Sequence, residues 1–111
     1  MKIDKSLMSG STTLLILSLL SGGEMYGYQM ITELARRSNR VFELKEGTLY
    51  PILHGLEAEG LVTVREKVEG GRTRKYYRVT RKGRRALERR KEEWTVFREQ
   101  VDAVVNSAAQ A

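Results

Sequence analysis

The 111-residue sequence contains no cysteine, and only one each of histidine, proline and tryptophan. Without cysteine there can be no disulfide, no thiolate metal site and no thiol nucleophile. His54 alone cannot build a metal site, and neither a glycine-rich phosphate loop nor a metal-ligand spacing occurs, so no enzyme and no cofactor are expected. Long apolar runs are also missing. The longest, Leu14 to Leu20, is broken by Ser18 and falls far short of the roughly 20 residues a membrane helix needs. Lys2 and Lys5 before it and Ser21 to Gly23 after it give it the outline of a signal peptide. The domain needs this segment as its first core helix, so a cytoplasmic location is expected.

Basic charge is plentiful. Lys and Arg number 20 against 14 acids, a net charge of +6, which points to a polyanionic partner such as nucleic acid. Its distribution says more than its sum. Eleven of the basic residues lie between Arg72 and Lys91, where Glu88 is the one acid.

The chain is organised around Leu44 to Leu61, LKEGTLYPILHGLEAEGL. Leu49, Ile52, Leu53 and Leu56 recur at i, i+3, i+4 and i+7, one stripe of a helix facing a core. Gly47, Thr48, Tyr50, Pro51, His54 and Ala58 fall on or beside the opposite face. Pro51 requires the helix either to start late, near Thr48, or to kink, and the start is placed between Lys45 and Thr48. Gly60 closes it. Leu61 to Val68 then alternates as a half-buried strand, Glu69 to Arg72 makes a turn around Gly70 and Gly71, and Arg74 to Val79 returns. A reading helix followed by a basic hairpin is the plan of a winged helix.

Upstream, Ser11, Thr12 or Thr13 caps an almost wholly apolar helix to about Leu20, and a second helix runs from near Tyr26 to Arg37 with Ile31, Leu34 and Ala35 inward. Downstream, Thr80 caps a final helix from Arg81 to about Ala108. Leu87, Trp94, Phe97, Val101, Val104 and Ala108 form a heptad seam along it, which a domain this small cannot cover. The seam predicts dimerisation. The fold expected is mainly α with a small β-hairpin: a winged helix-turn-helix over residues 1–80 and a dimerisation helix over 81–111.

Three stretches, YGYQMITEL at Tyr26 to Leu34, EGTLYPILHGLEAEGLV at Glu46 to Val62 and GGRTRKYYRVTRKGRRALE at Gly70 to Glu88, resemble the PadR family of bacterial transcriptional regulators, in particular its short members. The resemblance implies a homodimer that binds an operator, usually as a repressor, and lets go when a small molecule is sensed. It also implies a phosphate contact from Tyr26 and Gln29, and Trp94 is similar in position to a tryptophan of multidrug-responsive short members.

Thr48, Tyr50, Pro51 and His54 are then the residues that reach a major groove, and Arg72, Thr73, Arg74 and Lys75 at the wing tip touch backbone or a minor groove. No Arg, Asn or Gln projects from the reading helix, so modest base readout shared with DNA shape is expected. Across a two-fold axis two Trp94 indoles would sandwich a flat aromatic effector, with Phe97, Val101, Met8 and Leu15 lining the pocket. The competing reading is a winged helix that binds protein or sequesters ligand without specific DNA.

Overall fold

The computed structural model describes residues 3–108. Its elements are α1 (Lys5–Ser9), α2 (Thr12–Leu20), β1 (Met25–Tyr26), α3 (Gly27–Arg37), α4 (Glu46–Ala58), β2 (Val62–Glu69), β3 (Arg72–Val79) and α5 (Arg81–Ala108). Helix, strand, two helices and a two-stranded wing form the winged-helix order, and α5 extends beyond it.

The core is built where the apolar periodicity put it. Leu49, Leu53 and Leu56 of α4 pack with Ile16, Leu17, Leu19 and Leu20 of α2, all at most 3% exposed, while Ile52 lies at the margin. In α3 the inward residues are Met30 and Leu34, with Gly27 buried beside them. Ile31 and Ala35, expected inward, are only half-buried, because the α3 stripe is centred on Met30, one residue from the position expected.

Helix ends explain the turns. Gly60 (φ +75°) follows α4, with its N–H on the Glu57 carbonyl at 3.0 Å and the Leu61 N–H on the Leu56 carbonyl at 2.9 Å. That paired pattern is the Schellman motif. After α3 the same pattern falls on Asn39 and Arg40, which bond the carbonyls of Arg36 and Ala35 and both adopt positive φ. Thr80 caps α5 as expected: its Oγ1 accepts the Gly83 N–H at 2.9 Å and donates to the Gly60 carbonyl at 2.7 Å. One residue thus locks the end of α4 to the start of α5.

Several expectations are corrected. Helix α1, capped by Asp4 Oδ1 on the Ser6 N–H at 2.9 Å, was not foreseen, since five residues are too few to show a period. Ser11 precedes α2 without a side-chain cap bond, because it follows directly on the end of α1. The hairpin belongs to a three-stranded antiparallel sheet of order β1-β3-β2, with Met25 opposite Tyr77 and Tyr26 opposite Tyr76. A two-residue strand carries no alternation to read. Only Gly70 and Gly71, at φ +54° and +78°, form the hairpin loop, and Glu69 pairs with Arg72, so β3 starts two residues earlier than expected. Positive φ at both loop positions defines the type I′ turn, whose twist suits a two-residue hairpin. The alternation over Leu61 to Val68 puts Val68 on one face with Val62 and Val64, yet it is 72% exposed, because the outer half of the wing projects past the core.

Helix α4 begins at Glu46 and runs through Pro51, its sixth residue, which settles the late-start alternative against Thr48. Proline deprives the Gly47 carbonyl of its amide partner. Both residues face solvent, where that carbonyl is open to water.

Candidate nucleic-acid interface

The exposed face of α4 carries Gly47, Thr48, Pro51 and His54. Tyr50 is half-buried and leans on the first residue of α3: a Cβ added at Gly27 would lie 2.4 Å from the Tyr50 hydroxyl. Only glycine allows that approach. The Tyr50 and His54 rings lie 6.5 Å apart, so the tyrosine is shared between the α4 surface and the N-terminus of α3.

Between that N-terminus and the wing runs an open groove of about 830 Å³, lined by Tyr26, Gly27, Tyr28, Tyr50, Arg72, Thr73, Arg74 and Lys75. Unpaired backbone N–H groups of a helix start favour anions, and three cations face them across the groove. The arrangement suits a phosphate. Sequence reasoning missed Tyr28, which is 64% exposed and lines the groove. The signal was an aromatic one residue past the helix start on a face with no core partner.

The named wing residues are not equivalent. Arg72, Thr73 and Lys75 are exposed. Arg74 is half-buried, with its guanidinium 4.4 Å from the Tyr26 ring centroid and 3.8 Å from Glu69. Tyr26 in turn meets Tyr76 edge-on at 5.4 Å, and the Tyr76 hydroxyl donates to Glu69 at 2.7 Å. That hydrogen bond, with Lys67 and Arg74 nearby, holds the Glu69 carboxyl below its ordinary range. Tyr26 and Arg74 therefore brace the wing against β1. A second brace is the Arg65–Glu24 ion pair, in which the Arg65 bond lowers the Glu24 carboxyl. Gln29 has a local duty as well, since its Oε1 accepts the Tyr26 N–H at 3.0 Å.

At the other end of α3, Glu33 accepts hydrogen bonds from Arg36 and Arg37 at 2.5 and 2.8 Å. These two bonds pull its carboxyl from 4.5 to about 2. Because the folded value is depressed, the stabilisation is complete above the ordinary carboxylate range and disappears as pH falls through about 2. A carboxyl-carbon NMR titration should place the Glu33 midpoint near 2; a midpoint at the ordinary 4.5 would mean the pairs do not persist in solution.

Of the residues expected to hold a ligand, Met8 and Leu15 pack against the core, while Trp94, Phe97 and Val101 stand 42%, 62% and 42% exposed on α5. The Trp94 and Phe97 rings lie 6.1 Å apart. Of the dimer seam, Leu87 is 2% exposed within the chain's own core and Val104 is 70% exposed. The side chain of Ala108 lies outside the described residues. No helix among the described residues is long and apolar enough to cross a membrane.

An exposed reading helix, a basic wing and an anion-suited helix start between them define a winged helix-turn-helix DNA-binding protein. The family model of the PadR-like transcriptional regulators matches residues 16–89, and the chain belongs to that family. It is a PadR-type DNA-binding transcriptional regulator, and members of the family are regulators, not enzymes. It is 32% identical to an uncharacterized protein of Lysinibacillus sphaericus over 90% of this chain and 93% of that one. A transcriptional regulator of Mycobacterium tuberculosis is 44% identical over 65% of this chain and 64% of its own length. A transcriptional regulator structure from Clostridium thermocellum superposes with TM-score 0.85 at 29% identity, covering 91% of this chain and 96% of that chain. Bacillus subtilis PadR, solved in complex with operator DNA, matches with TM-score 0.67 at 28% identity, covering 80% of this chain and 48% of that chain. This chain thus spans about half the length of that PadR.

Proposed function

We propose that the protein is a cytoplasmic homodimeric repressor that binds a pseudo-palindromic operator and releases it when a small aromatic ligand occupies the dimer seam. Residues 1–80 form the DNA-reading part, and residues 81–111 pair the subunits through α5. The observation that carries this reading is the cation-lined groove between the start of α3 and the wing, which α4 joins through Tyr50. Thr48, Pro51 and His54 enter the major groove, with Tyr50 at its margin. Arg72, Thr73 and Lys75 take phosphates, while Tyr26 and Arg74 reach phosphate from the groove's wall and Gln29 does so from the first turn of α3. A phosphate at the start of α3 and another at the wing fix α4 between them, and the absence of bidentate base readers leaves specificity to DNA shape.

Dimerisation is supported by α5. At about 100° per residue, Gly83, Ala86 and Leu87 lie on the same side as Trp94, Phe97, Val101, Val104 and Val105. The first three are buried in the chain's own core, while the rest are exposed. One stripe thus serves two purposes: its first part docks α5, and its remainder awaits another chain. Ligand release is supported by Trp94 and Phe97, whose neighbouring rings, tilted by 31°, offer exposed aromatic faces for stacking. A ligand there would favour a subunit geometry that no longer matches half-sites about 34 Å apart.

The test is selection of bound fragments from random genomic DNA at raised salt, followed by sequencing. A short inverted repeat should be recovered; equal, salt-labile retention of every sequence would refute specific regulation. Replacing Arg72 and Lys75 with Ala should weaken all duplexes together. Each charge that neutralises a phosphate contributes about 0.9 to the log–log salt slope, so a dimer losing four such contacts should show a slope shallower by roughly 3 to 4. An unchanged slope in a salt titration would remove those two residues from the backbone contact.

A further inference from the structure

We infer that the first half of α5 carries a second nucleic-acid surface, separate from the operator-reading face, which takes the phosphate backbone of another duplex. Arg81, Arg85 and Arg89 are all exposed and recur every four residues, about 6 Å apart along the axis. Arg81 and Arg85 lie on the side of α5 opposite Gly83, Ala86 and Leu87, which are buried, and therefore also opposite the Trp94 seam, while Arg89 turns toward the flank, where it shares a groove with Glu59, Lys82 and Ala86. Pairing of two chains through that seam leaves the arginine row facing solvent.

The row is free to bind. Among the described residues none of these three arginines takes part in an ion pair, while Glu88, the acid within the stretch, is held by Lys91 at 3.4 Å. Arg84 widens the row on one side, and Glu92 marks its end. Lys82 does not belong to it, because its Nζ donates to the Glu59 carbonyl at 2.9 Å and closes the end of α4. Nor does the row extend the wing tip. Helix α5 starts at Arg81, beyond the base of the hairpin, and the seven steps along β3 from Arg72 to Val79 alone span roughly 24 Å at strand spacing.

The chemistry favours phosphodiester backbone over other anions. Guanidinium forks bind phosphate with two donors and do not lose charge, and a regular row of them suits a regularly charged polymer. An acidic membrane would call for apolar side chains beside the cations, yet the exposed companions of Arg81, Arg84, Arg85 and Arg89 are charged: Glu88 and Glu92 along the helix, and Glu59, Lys82 and Glu93 beside Arg89. A dimer would carry two such rows and could join an operator to a second DNA segment.

The test compares the full-length protein with the Arg81→Gln/Arg85→Gln/Arg89→Gln variant and the Arg72→Ala/Lys75→Ala variant, after thermal melts confirm that each folds. Two random-sequence duplexes are used, one biotinylated and one fluorescent, and capture of the second on beads carrying the first is measured beside retention of selected genomic fragments. The row variant should lose capture at least tenfold and keep fragment retention within about twofold. The wing variant should lose retention of the selected fragments at raised salt yet keep, at low salt, row-dependent capture of the second duplex, a readout that stands even if no inverted repeat is ever selected. Unchanged capture by the row variant overturns the inference. So does parallel loss of fragment retention, which would place the row in the operator interface. Equal, row-dependent capture of phosphatidylserine vesicles would replace nucleic acid by any anionic surface and overturn it too.

Discussion

Gly83→Ala is expected to destabilise the protein by about 3 kcal/mol, the upper range for forcing a group into a filled site. Gly83 lies where α5 crosses the end of α4. A Cβ there would sit 2.1 Å from the Leu61 carbonyl oxygen and 2.7 Å from Val79 Cγ2. The oxygen cannot swing aside, because it accepts the Thr80 N–H at 3.0 Å and Leu61 is itself buried. To admit one methyl group, α5 must lift from the sheet and loosen the Ala86 and Leu87 contacts. In a domain of this size such a loss lowers the melting temperature by roughly 12 to 20 °C. Gly55→Ala provides the contrast. Its Cβ meets nothing within 4 Å, so alanine should raise stability by about 0.5–1 kcal/mol through helix propensity. Thermal denaturation followed by circular dichroism checks both, and a Gly83→Ala protein melting with the parent would show that the close approach is not maintained in solution.

The double substitution Phe97→Glu/Val101→Glu should abolish the dimer and with it most operator affinity. Both side chains are exposed in the single chain, so the charges leave the folded monomer intact; the melting curve of its own core should barely move at low protein concentration. In a paired seam the four introduced carboxylates would be desolvated beside one another. A dimer gains from tethering two half-site readers, an advantage of about 10²- to 10⁴-fold. Light scattering should therefore give the monomer mass, and gel shifts on the selected fragment should weaken by at least about 100-fold. A variant that stays dimeric would move the interface away from this stripe. One that becomes monomeric yet binds DNA undiminished would break the link between pairing and operator recognition.

Helix α4, its inward leucines, the capping threonine Thr80 and the full extent of α5 were legible in the sequence, because each is specified by neighbours within one or two helical turns. Periodicity reports which face is apolar, and the Gly70–Gly71 pair reports a tight hairpin wherever the hairpin sits. The basic segment and the uncovered seam were legible for the same reason: charge and apolar excess along one helix need no knowledge of the rest of the chain. The three motif stretches placed the family.

Other features depend on residues far apart in the chain, and only the tertiary structure decided them. Strand β1 exists because Met25 and Tyr26 meet Tyr77 and Tyr76; two residues cannot announce a strand alone. Arg74 is indistinguishable from Arg72 in sequence, yet the aromatic ring of Tyr26 and the carboxylate of Glu69 draw it inward and leave Arg72 exposed. Tyr28 gains its place only because the wing folds back across the start of α3. Gly83 looks like a helix-weakening residue until the Leu61 carbonyl is set against it. Local sequence determined what each helix and turn would be, since propensity, capping and periodicity act over a few residues. Which cations brace the wing and which are free for phosphate was decided by packing across the fold, where contact depends on distance in space and hardly at all on distance along the chain.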